Sequence, residues 1–183
     1  MEGLRRGETC LFITLEERPE DIIADVQKFG WYFRKYVSEK KLILEYQDPF
    51  QMTDITSPLL DKIQEHKISR VVIDSTSVMG LYFKEASEIR KQLFKLLAGL
   101  KETGVTTLVT SEVIDENRLS RFGVEEFLTD AVILLHYLGI GEATYNNIEI
   151  RKMRRTKHAK GTFPLEFSQD GIRISVGKGK LHF

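Results

Sequence analysis

Three groups of side chains in this sequence are of types that can do chemistry together. The first is Asp74-Ser75, which ends the run Arg70-Val71-Val72-Ile73. A continuous apolar run suits a strand buried on both faces, and an acid at its C-terminal end sits where open parallel sheets place their ligands. Such a carboxylate can hold Mg²⁺ against phosphates, or it can cap the turn that follows. The second group is Glu16-Glu17, at the end of Cys10-Leu11-Phe12-Ile13-Thr14-Leu15. Successive strand residues point to opposite faces, so one carboxylate could reach an attacking water while the other bonds a neighbouring loop. The pair also suits the entry to a helix, where acids complement the dipole.

The third group is Glu149 to Lys160, where seven of twelve residues are Lys, Arg or His, in a chain with 27 basic and 27 acidic residues. Lys152 and Arg154 are two apart and, on a strand, share a face. Three uses stand for this segment: contact with a polyphosphate, a nucleic-acid patch, or a solvated face. Interleaved aromatics that would stack bases are missing from it. Phosphoryl transfer asks a protein for metal, positive charge and a group that positions or deprotonates water, and these three groups are of those types. Lesser candidates are the hydroxyls of Ser75, Thr76 and Ser77, and Thr110-Ser111-Glu112 as a phosphate sensor or a cap. His136 reads as a packed, hydrogen-bonded histidine, and Trp31, Tyr32 and Phe33 as core or interface anchors.

The elements that must position these groups alternate along the chain. After the strand ending at Glu16-Glu17, Pro19, Glu20 and Asp21 open a helix, carried on by Ile22, Ile23, Val26 and Phe29 and stopped near Gly30. Lys41 to Glu45 is a second strand, and Ser57-Pro58 opens a helix that leads to the Asp74 strand. The longest helix runs from Lys84 to Thr103 with Ile89, Leu93, Leu96, Leu97 and Leu100 in its apolar stripe, and Gly104 ends it. Val105 to Thr110 and Ala131 to Leu135 read as further buried strands, the second reached through a Val124–Leu128 helix. Strands alternating with helices give an α/β fold with a mostly parallel sheet. After Gly141 the period changes to two, through Ile148–Arg151, Phe163–Phe167 and a Gln169-Asp170-Gly171 turn. That predicts an antiparallel extension on one edge of the sheet.

Composition sets the class. At 42% hydrophobic residues over 183, the chain can bury a core, and no linker divides it, so residues 1–183 read as one domain. Zero formal net charge argues against strong non-specific attraction to nucleic acid. One cysteine excludes an internal disulfide, and no cluster has zinc-ligand spacing. With no secretory signal and no apolar run long enough for a bilayer, the expected setting is cytoplasmic and reducing.

Taken in order, the segments resemble one family, the KaiC-like and RadA-like ATPase domains of the RecA superfamily. Leu11 to Ile23 with Phe29-Gly30-Trp31 is similar to that family's strand with its glutamate pair, and Arg70 to Ser77 to its Walker B strand. Leu100-Lys101, Gly104 to Thr107 and Arg121 to Phe127 also fit, as do Lys152-Met153-Arg154, Thr156, His158, Lys160-Gly161 and Phe163-Pro164. The resemblance implies a RecA-like three-layer fold. Glu16 and Glu17 would activate the attacking water, and Asp74 would bind Mg²⁺. Lys152, Arg154, Thr156, His158 and Lys160 would face ATP on a neighbouring subunit, in a homo-oligomeric ring, commonly a hexamer. Arg155 departs from the family, which usually has Gly there.

The larger departure is that residues 1–183 contain no Gly-x-x-x-x-Gly-Lys-Ser/Thr, the loop that holds β- and γ-phosphates. Family members carry it upstream, so the expectation is a chain lacking the first strand and P-loop helix, with Met1 to Arg6 as that helix's tail. The absent strand is expected beside the Asp74 strand. Three functions follow: an ATPase whose P-loop is supplied, a non-catalytic assembly or regulatory subunit of a RecA-like ring, alone or beside a full-length relative, and a DNA-recombination ATPase.

Overall fold

The computed structural model describes residues 1–48, 54–83, 85–115, 118–140, 143–169 and 171–175. It divides into two compact units, 1–128 and 129–183. In the first, a short helix α1 (Glu2–Arg5) precedes strand β1 (Cys10–Thr14), followed by α2 (Pro19–Gln27), α3 (Phe33–Ser38) and β2 (Leu42–Tyr46). Next come α4 (Thr56–Glu65), β3 (Arg70–Asp74), a 3-10 turn over Thr76–Leu81, α5 (Ala86–Thr103), β4 (Thr106–Val109) and α6 (Glu125–Leu128). The second unit holds β5 (Ala131–Ile140), β6 (Ala143–Met153), β7 (Thr162–Ser168) and β8 (Gly171–Ile174).

The first sheet is parallel, in the order β2-β1-β3-β4. Strand β1 shows why an apolar run was needed. Leu11 and Ile13 are fully buried and join Val71, Ile73, Leu59, Ile63, Leu96 and Leu100 in one core, on the side of α4 and α5. Cys10 and Phe12 pack instead into a second core with Leu4, Ile22, Phe33 and Leu42, on the side of α1, α2 and α3. Helices therefore cover both faces, the three-layer arrangement expected. Pro19 opens α2 with Glu20 and Asp21 in its first turn, and α5 ends at Gly104, whose φ of 75° is left-handed. Lys84 lies outside the described residues.

Several expectations differ from the structure. Helix α1 lies within residues 1–6, where a helical tail was expected, and buries Leu4, but α3 was not foreseen. Trp31 and Phe33 enter the second core, whereas Tyr32 is exposed. Strand β4 is not buried on both faces, because it is the outermost strand of its sheet and Leu108 stays 53% exposed. The position beside the Asp74 strand is filled, since β3 pairs with β1 on one side and β4 on the other.

Residues 131–135, expected as another strand of the parallel sheet, belong to β5, which pairs antiparallel with β6 in the order β5-β6-β7-β8. Its residues alternate in exposure, with Ile133, Leu135 and Tyr137 outward, so this run is apolar without being buried on both faces. The period-two segments form the antiparallel ladder that the alternation implied, but in a sheet of their own with β5 and not as an edge extension of the parallel sheet. Asp170 of the proposed turn lies outside the described residues. Helix α4 begins at Thr56, where the Asp54 carboxylate accepts from the Thr56 N–H at 2.9 Å and the Ser57 hydroxyl at 2.7 Å. Lys95 bonds the same carboxylate, and these donors, Ser57 first, hold Asp54 well below the usual carboxylate range.

Candidate functional site

The C-terminal ends of β1, β3 and β4 meet at one rim. Thr14 and Asp74 are register partners, and the Leu15 N–H donates to the Asp74 carbonyl at 2.7 Å. Beyond Thr14 the chain turns at once. Thr14 is 1% exposed, and its hydroxyl accepts from the N–H groups of Glu16 (3.4 Å) and Glu17 (3.0 Å) and donates to the Glu17 carbonyl at 2.8 Å. This local closure uses a hydroxyl where strand pairing stops, and it turns both glutamates out to solvent.

The rim joins the sequence-predicted residues through side chains. The Ser75 hydroxyl donates to a Glu16 carboxylate oxygen, and the Thr110 hydroxyl donates to Asp74 Oδ1. Thr110 is also held by its backbone: its carbonyl accepts from the Thr76 N–H and the Thr76 hydroxyl, both at 3.0 Å, and its N–H donates to the Ile73 carbonyl at 3.1 Å. Ser75, Thr76 and Ser77 are buried, and the Asp74–Ser75 peptide is cis. Among the described residues none donates to Asp74 Oδ2 or to the Glu17 carboxylate. So Oδ1 of Asp74 and the Glu16 carboxylate are each fixed by a neutral hydroxyl, and Glu17 is exposed. Sequence reasoning named every one of these residues except Thr14, but not the Ser75–Glu16 and Thr110–Asp74 contacts. Partners that far apart in the chain leave no periodic signal.

The basic segment lies in the second unit. The Lys152 ammonium donates to the Thr129 carbonyl at 2.7 Å. Arg154 lies beyond the end of β6, its N–H on the Asp130 carbonyl at 2.7 Å and its guanidinium 3.6 Å from the Asp130 carboxylate. The expected shared face of Lys152 and Arg154 is therefore not a strand face: β6 stops at Met153, and a register shift interrupts its pairing at Val132/Ile133. Thr156 and Lys160 are exposed, and the Lys160 ammonium is 3.4 Å from His158 Nε2. His158 Nδ1 donates to the Ala159 carbonyl at 2.9 Å, which leaves Nε2 as the acceptor in the neutral ring. Arg155 has φ of 57°, in the left-handed region that favours glycine, the residue usual there in the resembled pattern. His136 is half-buried, 3.0 Å from the Glu149 carboxylate.

Among the described residues no group of three or more His, Cys, Asp or Glu is arranged to hold a metal. The rim therefore does not fit a self-contained metal cage. It does fit Mg²⁺ delivered with phosphates, which takes only one or two protein carboxylates. No described helix is long and apolar enough to cross a membrane.

The family model described as "ATPase: KaiC" matches residues 1–179. The chain belongs to the KaiC ATPase family. This KaiC-family chain is 36% identical over 178 residues to the circadian clock oscillator protein KaiC of Synechococcus elongatus, covering 91% of the chain and 34% of that protein. It is equally 36% identical over 179 residues to the protein of the same name from Acaryochloris marina, with the same coverage. It thus spans about a third of the length of these curated relatives. A solved KaiC-like protein from the hyperthermophilic archaeon Pyrococcus horikoshii superposes with a TM-score of 0.84 at 33% identity, covering 95% of this chain and 78% of that one. The α/β fold, with its parallel and antiparallel sheets, is that of the KaiC-like RecA-type proteins.

Proposed function

We propose that this KaiC-family chain takes part in ATP hydrolysis, with Glu16, Glu17 and Asp74 as the reacting side of the site and residues 1–183 working as one domain. The observation that carries this reading is the register of Thr14 with Asp74, which brings the glutamate pair and the Asp74 carboxylate to one rim. Asp74, with Oδ1 occupied by Thr110, keeps Oδ2 for Mg²⁺, directly or through water. When bound, Mg²⁺ neutralises charge on the phosphate oxygens. Ser75 holds Glu16 in place. Glu17 takes the proton from the water whose oxygen bonds the γ-phosphorus, while the bond from that phosphorus to the bridging oxygen breaks and ADP leaves. Lys152, Arg154, Thr156, His158 and Lys160 would stabilise phosphate charge on a neighbouring subunit's ATP, in a homo-oligomeric ring such as a hexamer working in the cytoplasm. The test is phosphate release from Mg-ATP by the purified protein. Turnover that EDTA and Asp74→Asn both abolish is expected; equal phosphate release from the Asn variant would overturn the reading.

A second reading is that the chain lends its basic segment, in which Thr156 and Lys160 are exposed, to a neighbour's nucleotide without binding its own. Mg-ATP titrated into the protein, alone and mixed with a relative that carries Gly-x-x-x-x-Gly-Lys-Ser/Thr, separates the two. Tight binding by the protein alone contradicts the second reading.

A further inference from the structure

One buried acid lies outside the site described so far. Glu125 opens α6 and is only 3% exposed, although burying a carboxylate is costly unless its oxygens are fully hydrogen-bonded. Oε1 accepts from the Ser111 hydroxyl at 3.0 Å. Oε2 accepts from the Val124 N–H at 3.2 Å and lies 2.8 Å from the Ser120 hydroxyl, whose single proton it shares with the Glu126 carboxylate. Ser111 is held from a second direction, its hydroxyl oxygen accepting the Arg121 N–H at 3.1 Å. It directly follows Thr110, and the next residue is fixed too, since the Glu112 N–H donates to the Ser77 hydroxyl at 2.8 Å. The exit from β4 is therefore clamped between the buried hydroxyls after β3 and the buried carboxylate of α6.

We propose that Glu125 is a positioning residue: through Ser111 it fixes the β4 exit, so that the Thr110 hydroxyl stays on Asp74 Oδ1 and Asp74 keeps one orientation toward a phosphate-borne divalent cation. A hydroxyl has a single proton, and Thr110 spends it on Asp74 only while its backbone is held close to β3. Backbone bonds to Ile73 and Thr76 hold Thr110 on the β3 side only; on its other side edge strand β4 has no partner among the described strands, so strand pairing cannot supply a restraint there. Glu125 can, because a buried carboxylate left without its donors would cost far more than a loop rearrangement. The part concerning the cation rests on the function proposed above; the part concerning the clamp does not.

The experiment has two arms on the full chain. In Glu125→Gln, one acceptor oxygen becomes an NH₂ that cannot receive a hydroxyl proton. Amide hydrogen exchange at Thr76 and Glu112, whose N–H groups bond Thr110 and Ser77, is expected to speed up at least about tenfold, while the Leu15 amide on the Asp74 carbonyl is unchanged. Unchanged exchange at Thr76 and Glu112 overturns the inference. In the second arm the Mg²⁺ concentration for half-maximal ATP turnover is expected to rise about five- to tenfold, with the KM for ATP little altered and Glu125→Asp partly restoring it. Faster exchange with an unmoved Mg²⁺ requirement marks a purely structural role and equally overturns it. Ser111→Ala should reproduce both effects, and the double variant should add nothing to either single one; additive effects would contradict action through Ser111. If Glu125→Gln fails to fold, the Ser111 variant decides by the same measurements. A wild-type protein that neither binds nor hydrolyses Mg-ATP would remove the proposed function, and the exchange arm would still decide the clamp.

Discussion

At the rim of the parallel sheet, Glu16, Asp74 and Thr110 stand on the ends of its strands or one turn beyond them, and hydroxyls hold one oxygen of each acid. In the basic segment of the other unit, Lys152 and Arg154 are long side chains that reach back to a backbone carbonyl and to the neighbouring Asp130, while Thr156 and Lys160 are exposed. Short side chains on rigid strands give up little freedom when a substrate arrives. Long cationic ones give up roughly 2 kcal/mol of rotamer entropy each unless a partner has already ordered them. On the function proposed above, the difference teaches where each half of the chemistry would be set in advance: positions of water and metal by the strands, phosphate charge only once something is docked against the turn.

The sharpest way to break this comparison is Arg154→Ala. As a cation that meets phosphate in the transition state, it should cost about 10³–10⁵-fold in ATP turnover of the assembled protein. An unchanged rate in a phosphate-release assay would return the segment to a solvated face. Glu17→Gln is expected to lower turnover by about 10²–10⁴-fold with the KM for ATP little changed, as loss of a general base should. An equal loss in Glu16→Gln and none in Glu17→Gln would reverse the roles assigned within the pair.

Smaller effects probe the scaffolds. Thr14→Val removes the acceptor for two N–H groups and should destabilise the first unit by about 1–2 kcal/mol in urea unfolding, with m unchanged. Asp54→Ala should cost about 0.5–2 kcal/mol at pH 7 through the lost helix cap. Because the Asp54 carboxyl is held below its ordinary range by Ser57, Lys95 and the Thr56 N–H, its contribution is complete above the ordinary carboxylate pKa. It is lost as pH falls through the depressed value, so wild type and variant should converge in stability toward strongly acid pH. Arg155→Gly should instead raise stability slightly, by about 0.5–1 kcal/mol, since glycine occupies the left-handed region without the steric cost that arginine pays. A loss on thermal unfolding would mean that the Arg155 side chain contributes contacts outweighing that cost.

The sequence made some of this legible and physical reasons hid the rest. Val71, Val72 and Ile73 announce a strand covered on both faces, and Pro19 with Glu20 and Asp21 a helix start, because both signals are local. The same logic misplaced residues 131–135, whose Ile133 and Leu135 are apolar yet outward; an apolar run says that a strand forms without saying which sheet takes it. Strand β4 was similarly over-read, since edge position is a property of the strand order. The polar clamp around Glu125 left no trace in any motif beyond Arg121 to Phe127. Its Ser111 and Ser120 look like ordinary turn residues until the fold closes them over one carboxylate.

Strand β1 hands alternate side chains to two different helical layers, Leu11 and Ile13 to one and Cys10 and Phe12 to the other. It is the wall that both rooms share. A single residue inserted between Cys10 and Thr14 would exchange the two sets, pressing branched aliphatics where a thiol and a phenyl ring now fit. The same slip would carry the glutamates one notch further along the rim and away from Ser75. Deletions and insertions here should therefore be far less tolerated than side-chain replacements at the same positions.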